Sequence, residues 1–127
     1  MNAIQLITVA VLTDASGDSS ATINPQPGRF LQMRYVPDGT APLDTGTDID
    51  LTGATTGFVY LNHDNIGTSA YDRAVRYPTS ALDGSASLYA ATGEPVEDFG
   101  YVGGESLTFT VANGGNAKSG TFYFWFG

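Results

Sequence analysis

The sequence predicts an all-β domain: an antiparallel, jelly-roll-like sandwich of about eight strands. Three observations predict it. The apolar runs are short and alternate with polar residues, as half-buried strands do. With 16 glycines and 6 prolines in 127 residues, the chain is interrupted too often for long helices. The runs also recur at sandwich spacing, with turn residues between them.

Residues 4–13 read as the first strand, with Ile7, Val9 and Val11 on one face and Thr8, Ala10 and Leu12 on the other. Residues 14–18 turn, because Asp and Ser bond back to the local backbone and Gly17 tolerates positive φ. Residues 19–24 are a more polar strand, closed by Pro25-Gln26-Pro27-Gly28, where neither proline can donate a ladder hydrogen bond. Residues 29–36 are a strong strand, with Leu31, Met33 and Tyr35 pointing one way and Gln32 and Arg34 the other. Pro37-Asp38-Gly39 predicts a turn with Gly39 in the left-handed position. Residues 40–47 are loop, 48–52 a short strand, 53–57 a turn and 58–62 another strand.

Residues 63–92 are less patterned. A strand over 71–77 ends at Pro78, and a short one falls near 87–90. Gly84 and the neighbouring serines argue against a helix over 80–91. Residues 94–101 are irregular. Leu107, Phe109 and Val111 alternate with Thr108 and Thr110, Asn113-Gly114-Gly115-Asn116 turns, and residues 121–126 form an aromatic strand. Local rules make this a hairpin. The last strand is aromatic on both faces, which predicts burial on both, in mid-sheet or under a neighbouring subunit. Residues 1–127 read as one domain without repeat or linker, with 1–13 available as an N-terminal arm or exchanged strand.

Charge narrows the function. Thirteen acidic residues against five basic ones give a net charge of −8. Phosphate backbones and anionic membranes are repelled, so neither nucleic acid nor membrane is expected as a partner. Only 14% of residues are charged and 42% are hydrophobic, so the chain is not a disordered acidic tail. The absence of Cys excludes disulfides, thiolate metal sites and Cys nucleophiles. Residues 1–12 lack Lys and Arg and do not read as a secretory signal.

No constellation demands catalysis, and a non-enzymatic role is expected. His63 stands alone in a loop after a strand, without a partner motif. Asp44, Asp48 and Asp50 offer alternate carboxylates to a hard cation, which makes them Ca²⁺ candidates, although the spacing is not an EF-hand. Turn formation accounts for the same residues. Asp14 and Asp18 form a similar, weaker pair. Otherwise no cofactor is expected. Glu94, Glu97 and Asp98 gather acids of the kind used in glycoside hydrolysis, but sequence spacing does not set their separation. The glycines of 100–104 and 114–115 lack a following Lys-Ser/Thr and read as hairpin turns, not phosphate loops. Against an acidic background, Arg34, Arg73 and Arg76 are natural intersubunit partners for carboxylates. With Tyr35, Tyr123 and Trp125 as aromatic anchors, they form the candidate interface set.

Three segments carry a family resemblance: GRFLQMRYVPDG at 28–39, SLYAATGEPV at 87–96, and residues 105–122, which run ESLTFTV and then ANGGNAKSGTF. Together they resemble small virion structural proteins of tailed bacteriophages. The resemblance implies a capsid decoration, or cement, protein on the outer surface of the head. Its partners would be the major capsid protein and itself, as a homotrimer matching three-fold shell positions. The alternative it implies is a tail, neck or head-fibre component that binds a receptor or carbohydrate.

Overall fold

The alternation of apolar and polar residues becomes strands throughout the chain. The computed structural model describes residues 3–90 and 93–127. Residues 1–2 of the expected arm lie outside the described residues, as do Ala91 and Thr92 of the segments 80–91 and 87–96. The strands are β1 (Gln5–Leu12), β2 (Ser19–Ile23), β3 (Gly28–Pro37), β4 (Asp48–Gly53), β5 (Val59–His63) and β6 (Tyr71–Ala74). They continue as β7 (Tyr77–Pro78), β8 (Glu97–Asp98), β9 (Gly100–Val102), β10 (Leu107–Ala112) and β11 (Ser119–Phe126).

They form two stacked antiparallel sheets, the all-β sandwich expected from the sequence. The first sheet runs β1-β11-β3-β6, with β9 also on β3; the second runs β2-β10-β4-β5; β7 and β8 make a small separate ribbon. Pairing is nested. The first strand pairs with the last, β2 with β10, β3 with β6, and β4 with β5.

The inward rows of the two sheets fill the space between them. Phe109 of β10 meets Phe122 and Phe124 of β11 at centroid distances of 4.8 and 5.1 Å. Phe30 stacks on Phe126 at 5.1 Å, and Tyr35 on Phe122 at 4.7 Å. These rings are all but fully buried, and each such side chain contributes about 1.5–3 kcal/mol relative to exposure. Gly120 continues the inward row of β11, where a Cβ would stand 2.5 Å from Cε1 of Tyr35 and force the ring to shift.

Several expectations are corrected. β10 and β11 are not a hairpin, because they lie in different sheets and the segment between them crosses the sandwich. Asn113, Gly115 and Ala117, all at positive φ, make that crossing. The glycines of 100–104 likewise belong partly to β9 and partly to its crossing to β10. The hairpin of the second sheet is β4–β5 instead. In β3 the inward residue before Met33 is Phe30, not Leu31. The ladder shifts register so that Phe126 pairs with Phe30 and Trp125 with Gln32, leaving Leu31 as the extra residue of a bulge. Gly39 is not among the positive-φ glycines; the Asp38 carboxylate makes the turn by accepting from Thr40 N and Ala41 N at 3.0 and 2.8 Å. The 71–77 strand divides into β6 and β7, and 87–90 holds only the isolated bridge Leu88↔Pro95. β11 is central, as one reading had it, but only its inward row is fully buried; Thr121, Tyr123 and Trp125 are half-buried on the outer face.

Candidate interaction surface

The outer face of the first sheet gathers residues from four strands in cross-strand rows. One row is Leu6, Trp125, Gln32 and Ala74. The next is Thr8, Tyr123, Arg34 and Asp72, and the third Ala10, Thr121 and Val36. Tyr123 and Trp125 sit side by side, ring centroids 6.3 Å apart. Charge enters these rows only as the Arg34–Asp72 pair, with Nη1 to Oδ1 at 2.6 Å. That pair is exposed and contributes at most about 1 kcal/mol. Ile4, Leu6 and Leu12 extend the apolar surface along the β1 margin, at 69%, 51% and 67% exposure. At one end the face dips into a depression of about 400 Å³ bordered by Ala10, Val36, Pro37, Asp38 and Thr121.

Of the six interface candidates, Arg34, Tyr123 and Trp125 come together here. Tyr35 does not, and its expected interface role is corrected. It is fully buried, and its hydroxyl, beside the Leu43 backbone, has no hydrogen-bond partner among the described residues. Burial raises its pKa above the usual phenol value. Arg73 lies elsewhere, stacked 4.6 Å over the Tyr71 ring with Nη1 donating to the Asp72 carbonyl. Arg76 stacks 3.9 Å over Phe99, and Arg29 approaches the same ring at 5.1 Å. Arg73 and Arg76, two of the three cations expected between subunits, are thus engaged within the chain. The Arg29–Phe99–Arg76 stack joins residues too distant in sequence for any local pattern to reveal.

Arg73 and Arg76 border a second depression, of about 230 Å³, together with Leu61, Asn62 and His63. His63 Nδ1 lies 3.2 Å from the Tyr71 hydroxyl. Burial pushes the Tyr71 phenol up to about 12, so at neutral pH it is a hydrogen-bonding group rather than a base.

The Ca²⁺ candidates are not brought into one cage. Asp48 accepts from Asn65 N and Asn113 Nδ2, both at 3.0 Å. Asp50 accepts from Asn62 Nδ2 at 2.6 Å. Asp44 caps its own turn, its carbonyl accepting from Thr47 N and Oγ1, while its carboxylate fills the space beside Gly115. Among the described residues no three His, Asp or Glu side chains form a group able to hold a metal. Asp14 likewise folds its own turn, accepting from Ser16 N and Asp18 N. Glu97 and Asp98 are exposed neighbours on β8, whose alternation sends them to opposite faces.

One carboxylate that no motif marked ties two loops together. Glu105 accepts from Thr55 N and Thr56 N, at 2.9 and 3.0 Å, and from the Thr56 hydroxyl at 2.8 Å. Its contacts with Thr56, then Thr55, hold its pKa below the usual carboxylate range.

No protein-family model and no curated protein matches the chain. Among solved structures it is similar to one described as the crystal structure of FLHE, at 11% identity and a TM-score of 0.42 over 98% of each chain. A likeness this loose has no bearing on function.

Proposed function

We propose that this chain is a non-enzymatic virion structural protein of a tailed phage. In this reading it is a decoration subunit that binds the major capsid protein on the outer surface of the head and stabilises the shell. The outer face of the first sheet carries the reading. It is broad, its three cross-strand rows carry no charge beyond the Arg34–Asp72 pair, and it is centred on the adjacent Tyr123 and Trp125, as the core of a protein-binding patch is. The nested strand pairing of the sandwich adds support, since it suits a jelly-roll-like winding, an architecture that includes viral capsid and lectin domains. Fold alone assigns no function. The net charge of −8 suits a subunit held away from packaged DNA. Many modest contacts over a shell then add up to stable attachment.

Cryo-electron microscopy of the purified virion tests this. Density for the chain on the outer shell, with Tyr123 and Trp125 against capsid protein, is the expected result. Density confined to the tail, neck or fibre tips assigns the chain to adsorption or tail assembly instead. Absence from the particle overturns the reading. Trp125→Ala should weaken binding to assembled shells at least about tenfold, as loss of a central aromatic anchor does.

A further inference from the structure

An edge strand exposes a row of unpaired N–H and C=O groups, which proteins blunt with charge, proline, bulges or brevity. Most edges of this sandwich are blunted. β6 carries Asp72 and Arg73, and β9 has only 3 residues. β5 has 5 residues and faces a register shift in β4. β2 also has 5 residues and directly follows Asp18. β1 has none of these protections. It runs 8 residues, QLITVAVL, without charge, proline or glycine. Its ladder with β11 is unbroken from Gln5↔Phe126 to Leu12↔Ser119, and its other edge pairs with no described strand. In a chain of net charge −8, the first charged residue is Asp14.

We propose that the free edge of β1 pairs antiparallel with the β1 edge of a second copy, about a two-fold axis at Val9, joining two sheets into one. The strand itself argues for this occupant. Acidic chains repel one another least where charge is absent, and β1 is such a place. Sheet continuity requires outward residues to face outward ones. With the axis at Val9, Leu6 faces Leu12 of the second copy and Thr8 faces Ala10. Inward, Ile7 faces Val11 and Val9 meets its own equivalent. The leucines, 51% and 67% exposed in the single chain, then cover one another. This pairing does not depend on the virion reading, and it replaces the trimer expected from shell symmetry.

Sedimentation equilibrium of the full chain tests it, over about 1 µM to 1 mM. A species of twice 13.3 kDa is expected. Thr8 and Ala10 are exposed, so substituting them leaves the core intact; far-UV circular dichroism checks this. Thr8→Lys/Ala10→Lys opposes like charges at both symmetric pairs and should raise Kd about tenfold or more, although it lowers the net negative charge. Thr8→Lys/Ala10→Glu places opposite charges across the same pairs and should restore the dimer. A wild type that stays monomeric throughout, or sediments as a trimer, overturns the proposal. So does a same-sign variant that binds as tightly as wild type, or a mixed-sign variant as weak as the same-sign one.

Discussion

Tyr35 and Gly120 form one unit of the core, and the two should respond oppositely to small changes. The Tyr35 hydroxyl is buried with no hydrogen-bond partner among the described residues, so Tyr35→Phe is expected to hold stability or raise it by up to about 1 kcal/mol. Gly120→Ala drives a methyl into the Tyr35 ring and should cost about 1–3 kcal/mol. Urea midpoints at unchanged m-value read both. Glu105 gives a pH signature. Its pKa is lowered in the folded chain by the Thr56 and Thr55 contacts. The stabilisation is therefore present above the ordinary value of 4.5 and is lost as pH falls through the lower folded value. Glu105→Gln should flatten that acid limb of the stability profile. Tyr71 acts at the other end. Burial raises its phenol from 10.0 to about 12. Above pH 10 the unfolded chain ionises first, so stability falls toward pH 12; Tyr71→Phe should reduce this slope, to which the raised phenols of Tyr77, Tyr60 and Tyr35 also contribute.

Within one strand, the two-residue period decides which aromatic supports the fold and which serves the surface. Phe124 and Trp125 are neighbours on β11, yet Phe124 is fully buried and Trp125 half-buried on the outer face. Phe124→Ala should cost about 3–5 kcal/mol. Trp125→Ala should cost far less, as chemical denaturation of the two variants will read. This period is what made most strands legible. It grouped Val9 with Val11 and Phe109 with Val111, and it set Arg34 opposite Met33; it did not separate Trp125 from its buried neighbours, because both faces of β11 are aromatic. It failed where the local signal was ambiguous. Phe30 and Leu31 are both apolar, so alternation cannot say which one a bulge turns outward. Asn113-Gly114-Gly115-Asn116 provides the same turn chemistry whether the chain doubles back in one sheet or crosses to the other. Only the competition among strands for β11 decides, and β1 and β3 occupy both its sides. The same limit hid the arginine contacts. Phe99 is remote from Arg29 and Arg76 in sequence, so their stacking on its ring leaves no local pattern; Arg34 pairs with Asp72 and Arg73 stacks on Tyr71. Asp48 and Asp50 gave a metal pattern because sequence shows carboxylates, not the asparagines that satisfy them.

Taken whole, the molecule is closed by pairing its beginning with its end. β1 and β11 are separated by nearly the entire chain, and β3, β10 and β4 also pair over long distances. Loop entropy must be overcome before these contacts form, so folding should fall in the millisecond-to-second range typical of non-local β domains. Stopped-flow refolding measures it, and microsecond relaxation would contradict the nested order. The same closure gives the chain a built-in optical probe. The single tryptophan is Trp125, half-buried on the outer face of the first sheet rather than sealed in the core. Its emission therefore reports the occupancy of that face. Whatever covers the sheet removes water from the indole and shifts its fluorescence to the blue, so binding can be followed in the unlabelled protein.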